Sequence, residues 1–206
     1  MGERLAARCR HRLALSGGCH AVRLHPSHNT EEDFEHMNDV LLTLYRHMTW
    51  ATLQVIEFCQ GLDEAHLGAT VPGTYGTVRE TLAHLVRAEE GYLSRITNES
   101  LPQTRPDGQT PLAELSARIR RMGPEWERVA QDDSLPGGAR TTDDGWRVLA
   151  LVPMAQAIHH ACEHRAHVLT ILGARGVQAP DPDVWSYAEA HGLMHQIGQP
   201  PADEGN

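Results

Sequence analysis

Four stretches of the chain carry apolar residues at three- and four-residue steps, the repeat of a helix buried along one face. The first runs from about Glu31 or Phe34 to Cys59 on Val40, Leu41, Leu44, Met48, Ala51, Val55 and Phe58, with Gly61 as a stop. The second carries Val78, Leu82, Leu85, Tyr92 and Ile96, and Thr77 with Glu80 has the spacing of a capping box at its start. The third spans about Pro111 to Gln131 on Leu112, Leu115, Ile119, Met122, Trp126 and Val129. Gly123-Pro124 is expected to kink or interrupt it, because proline removes a helical donor. The fourth runs from Pro153 to Leu172 and stops at Gly173 and Gly176. Strand-type alternation is nearly absent. Pro136-Gly137-Gly138 and the polar run Thr141–Gly145 suit a long turn or a short hairpin before the fourth helix. Four amphipathic helices joined by long loops predict an all-α protein, a four-helix bundle around one core.

The polar residues that fall on these apolar faces carry the chemistry. His159, His160, His164 and His167 lie within nine residues of the fourth helix. Advancing about 100° per residue puts Ala157, Ala161, Val168, Ile171 and Leu172 on one arc, with His160 and His164 inside it. His159, Glu163, Ala166 and Thr170 project to the opposite side, and His167 sits at the border. Residues four apart stack on one helix face, so His160 and His164 have the spacing that grips a metal ion. Cys162 points away from that pair and reads as a packing residue. On the second helix His84 flanks the apolar stripe beside Thr81 and Ala88, where a bundle lets it meet His160 and His164.

Glu89 falls in the centre of the second helix's apolar face. A bare carboxylate there would cost several kcal/mol, so it needs a partner. Two readings stand: a buried salt bridge to an arginine, or a carboxylate that supports a metal site or moves protons beside it. On the first helix Trp50 reads as core, while His47 either lines a pocket or faces water.

Length, charge and composition narrow the function classes. The 206 residues suffice for one domain with tails, expected as an Arg-rich disordered extension over 1–32, a bundle over 33–192 and a disordered tail over 193–206. Residues 1–30 are net +4 and the remainder −13, a sign of a transit-like segment or an upstream extension of the frame before Met37. Cys9, His11, Cys19 and His20 match no familiar zinc-finger spacing. A net charge of −9 argues against nucleic-acid binding, and no apolar run reaches the roughly 20 residues of a membrane span. All 18 basic residues are arginines, a compositional habit, and the 14 histidines are the one unusual count. The four cysteines form no CxxC pair, which predicts reduced thiols and a cytoplasmic setting.

Three stretches together resemble the DinB/YfiT-like superfamily of metal-binding four-helix bundles. They are His47-Met48-Thr49-Trp50-Ala51, Gly76 through Glu89 with His84-Leu85-Val86-Arg87-Ala88-Glu89 at its end, and His160-x-x-x-His164-Arg165 followed by Gly176 and Pro182 through Tyr187. The resemblance covers roughly residues 37–190. It implies a divalent metal held by His84, His160 and His164, and a homodimer that pairs through the bundle. The family often shows His-His-Arg-Gly-Gln at the last ligand; here the run is Glu163-His164-Arg165-Ala166-His167, which sets Glu163 and His167 apart. Characterised relatives include thiol transferases using bacillithiol or glutathione and a mycothiol-dependent isomerase.

Three neutral imidazoles leave coordination positions open, the arrangement of a catalytic site. The leading expectation is an enzyme that activates a low-molecular-weight thiol for attack on a small-molecule electrophile, with Glu89 or His47 assisting. Two others stand beside it: a metal-dependent hydrolase on the same ligands, and a non-catalytic metal-binding protein of the stress response. All-histidine ligation suits Zn, Ni, Fe or Cu alike.

Overall fold

The computed structural model describes residues 31–100, 104–142 and 145–194. The expectations for the Arg-rich extension, its Cys9, His11, Cys19 and His20, and for most of the C-terminal tail lie outside those residues. Among the described residues the protein is built almost wholly from helices: α1 (Glu31–Gln60), α2 (Glu64–Leu67), α3 (Val78–Thr97), α4 (Leu112–Ala130), α5 (Leu151–Ala174) and α6 (Val184–Ala190). A two-stranded antiparallel hairpin, β1 (Ala139–Thr141) with β2 (Arg147–Leu149), pairs Arg140 opposite Val148 and precedes α5.

The four long helices pack in a ring. α1 lies chiefly against α4 and also touches α5; α3 lies chiefly against α5 and also touches α4. The successive long helices α1 and α3 therefore sit across the ring from each other, as do α4 and α5. Such connections must cross an end of the helix layer, which accounts for the long loops at 61–77 and 131–150. The core between the helices is apolar: Met48, Val55 and Ile56 from α1, Leu82 and Leu85 from α3, Ile119 and Trp126 from α4, and Ile171 and Leu172 from α5 are all buried. Tyr45 stacks on Trp126 with ring centroids 4.8 Å apart, joining α1 to α4.

Local sequence chemistry sets the helix ends. The Thr77–Glu80 capping box forms in both directions, with the Thr77 hydroxyl accepting from the Glu80 N–H and the Glu80 carboxylate accepting from the Thr77 N–H. Asn98 closes α3 in the left-handed region at φ 61°. Gly123-Pro124 does not interrupt α4, which runs unbroken through both residues. Pro124 takes away the N–H that the Arg120 carbonyl would accept from, and both residues are exposed. Gly123 instead lets α1 approach, because a Cβ there would lie 3.2 Å from the Thr49 methyl.

Among the described residues no helix is long and apolar enough to cross a membrane. Two arginines are buried where the apolar count had placed none. Arg118 on α4 pairs with Glu90 at 3.0 Å and Glu114 at 2.7 Å, and donates to the Thr104 carbonyl, tying the α3–α4 connector down. Arg165 on α5 is the second.

Candidate metal centre

The faces of α5 are as the helical count has them. His160, His164, Ala157, Ala161, Val168, Ile171 and Leu172 are buried, while His159, Glu163, Ala166 and Thr170 are exposed and His167 lies between. Cys162 is exposed, so it is not the packing residue its position suggested; one helical step from Ala161 is enough to carry it off the buried arc. Cys59, by contrast, is fully buried in the core.

α3 and α5 bring His84, His160 and His164 together. One potential ligand atom of each lies within 4.8 Å of the others, and all three side chains are buried. The Nε2 atoms of His84 and His160 face each other at 3.1 Å. The His160 and His164 rings, one turn apart, have centroids 4.2 Å apart, and His84 lies 4.7 Å from His164.

Burial decides the protonation of the trio. It holds His84 down to about 4, helped by the neighbouring His164 and the Arg87 guanidinium. It holds His160 down to about 3, with His164, His84 and His159 adding to the effect. His164 is lowered for the same first reason, then by His167, with Glu163 opposing. The imidazoles are therefore neutral at pH 7 and keep a lone pair each, the form that ligates a metal.

Aromatic rings enclose the trio. The turn Val71–Thr74 closes with the Thr74 N–H on the Val71 carbonyl at 3.2 Å, and Gly73 takes the φ of +91° that such a turn needs at its third position. That turn sets Tyr75 flat against His84, centroids 4.1 Å and planes 18° apart, and edge-on to His164 at 5.1 Å. Tyr92, one face round on α3, meets His160 edge-on at 5.6 Å. His167 lies edge-on to His164 at 5.3 Å. Neither tyrosine was singled out for the site from sequence. Tyr92 read as part of the core stripe, and the 71–76 loop has no periodicity that would aim Tyr75.

The trio fits a divalent ion in spacing, burial and protonation. Its outer partners fit less well. Metal-bound imidazoles usually donate their other N–H to a carbonyl or carboxylate. Here the Nδ1 atoms of His160 and His164 are buried with no hydrogen-bond partner, and the Nδ1 of His84 faces Arg87 at 3.2 Å.

Glu89 and His47 make their contacts elsewhere. Glu89 is fully buried, and neither carboxylate oxygen has a hydrogen-bond partner. Desolvation pushes its pKa up to about 8, opposed by the Arg165 charge and, more weakly, by the Trp126 indole and Thr52 hydroxyl. Those two groups lie near enough to favour the anion without reaching hydrogen-bond geometry. Arg165 donates to the Thr52 hydroxyl at 3.2 Å. Thr52, Glu89, Trp126 and Arg165 come one from each long helix, so this polar node sits where all four meet. His47 bonds through Nε2 to the Pro182 carbonyl at 2.9 Å and lies edge-on to Tyr187 at 5.9 Å, which ties the 177–194 segment to α1.

Among the described residues, fold and site define a mostly helical, all-α protein with a buried three-histidine group. The chain belongs to the DinB family, whose model matches residues 37–200. Compared with curated proteins, the chain matches none. The family and the buried trio together fit a DinB-like metal-binding protein.

Proposed function

We propose that this protein is a divalent-metal-dependent enzyme in which His84, His160 and His164 hold the ion and a low-molecular-weight thiol is activated for attack on a small electrophile. One observation carries the reading: three buried, neutral imidazoles from two helices whose ligand atoms lie within 4.8 Å of one another. Three imidazoles fill three positions of an ion that takes four or more ligands. When bound, Zn, Ni or Fe supplies Lewis-acid chemistry that lowers the pKa of a coordinated water or thiol.

The chain's own residues set the conditions for that chemistry. Burial keeps protons off the trio, so the lone pairs stay available down to mildly acidic pH. Tyr75 and Tyr92 shield the imidazoles from bulk water on two sides. Glu89 and His47 act at a distance in this reading: Glu89 with Arg165 fixes how α3 and α5 are rotated, and His47 anchors the 177–194 segment. A homodimer in a reducing cytoplasm belongs to the same reading, and Cys59 and Cys162 as free thiols are consistent with it.

The test is turnover of an aryl halide such as 1-chloro-2,4-dinitrobenzene by the zinc- or nickel-loaded protein, with and without glutathione, bacillithiol or mycothiol. Activity that requires one of the thiols and disappears in His160→Ala supports transfer. Turnover without any thiol moves the reading to hydrolysis, and metal binding without turnover over a broad panel moves it to a non-catalytic role.

A further inference from the structure

Arg87 stands on α3 one turn after His84, half-buried, and its Nη2 lies 3.2 Å from the His84 Nδ1. A guanidinium only donates, so this contact requires Nδ1 to accept and puts the His84 proton on Nε2. The Nε2 atoms of His84 and His160 are the ones that face each other, at 3.1 Å. If His84 ligates through Nε2, the neutral ring must carry its proton on Nδ1, and two donors then confront each other. Coordination by His84 and the Arg87 hydrogen bond therefore exclude one another.

The displaced guanidinium has little else to hold it. Among the described residues Arg87 makes no ion pair, and its remaining contact is a 3.5 Å bond from Nη1 to the Pro106 carbonyl. Asp107 senses its charge but forms no ion pair with it; the Gln109 N–H at 2.9 Å and the Thr110 hydroxyl at 3.2 Å both donate to its Oδ1. A half-buried guanidinium beside a metal-binding trio, with donors released on metal binding, is a ready partner for a carboxylate.

Resting on the metal reading above, we infer that Arg87 is an anion-binding residue of the same centre, and that the small molecule accepted there carries a carboxylate. Arg87 exchanges its bond to His84 for one to that group when the ion is in place. The metal thereby prepares the anion site as well as the reactive one.

Titration calorimetry of the zinc-loaded full-length protein with benzoate, and separately with benzamide, tests this. Wild type binds benzoate better than benzamide; Arg87→Met loses about tenfold or more of the benzoate affinity, and Arg87→Lys recovers part of it. Benzamide binding is the same in all three proteins. In competition with a chromophoric chelator, Arg87→Met holds zinc at least as tightly as wild type, because the competing bond is gone. Equal affinity of wild type for the two probes, or benzoate binding unchanged in Arg87→Met, overturns the assignment. So does a tenfold loss of zinc affinity in Arg87→Met, which would make Arg87 a support of the trio. A wild-type protein that takes up no zinc sinks the metal reading and this inference with it, whereas zinc uptake without a benzoate preference sinks only the role of Arg87.

Discussion

Arg165 stands beside Glu89 at the point where all four long helices meet, donating to Thr52 while its charge pulls against the desolvation of the carboxyl. Burial disfavours both charges, lowering the arginine and raising the glutamate. Each charge eases the burial of the other without cancelling its cost. A double-mutant cycle on Glu89→Leu and Arg165→Met, followed by urea denaturation at pH 9, should give a favourable coupling of about 1–3 kcal/mol. The double variant should recover much of what each single one loses. Additive losses would show that the two groups do not offset each other.

The same pair gives the fold a pH dependence of definite sign. Glu89 titrates near 8 in the folded chain against an ordinary 4.5. Between those values the folded state holds a proton that the unfolded chain has released. This stabilisation is complete below about pH 4.5 and declines as pH rises through 8, by at most about 1.4 kcal/mol per pH unit. Melting curves of Glu89→Gln against wild type, taken from pH 5 to 9, should diverge in favour of the variant as pH rises. Parallel curves would count against a protonated Glu89.

His47 serves the C-terminal segment. Replacing it with alanine removes the bond to the Pro182 carbonyl and the edge contact with Tyr187, at about 1–2 kcal/mol. Limited proteolysis should then cut within 177–194 sooner, with zinc affinity unchanged. A drop in zinc affinity would return His47 to the metal centre.

Gly123 lets α1 and α4 pack tightly against each other. Alanine is the better helix former, but its Cβ would sit 3.2 Å from the methyl of Thr49, whose β-branched side chain has few other rotamers in a helix. Gly123→Ala is expected to lose about 1–2 kcal/mol, and adding Thr49→Ala should restore it. A stabilised Gly123→Ala single variant would mean that the helices part easily.

Much of this arrangement is legible in the chain. The trio follows from periodicity: His160 and His164 share an arc with Ala161 and Val168, and a bundle brings His84 to them. The same count also carries Arg165, four residues after Ala161 and seven before Leu172, to the edge of the buried arc, beside Leu172. Hydropathy hides it; geometry does not. The arginine that Glu89 called for was thus readable from its position. Tyr75 was not, because a turn closed by Val71, Gly73 and Thr74 aims it, and turns leave no repeat. Nor was the continuity of α4 through Pro124, which stands on an exposed face that only the packed helices decide.

Elemental analysis of the purified protein beside His84→Ala, His160→Ala and His164→Ala tests the centre itself. A centre on these residues should give close to one divalent ion per chain in wild type and its loss in each variant, with helical content by circular dichroism retained. Equal metal in wild type and His84→Ala would contradict it.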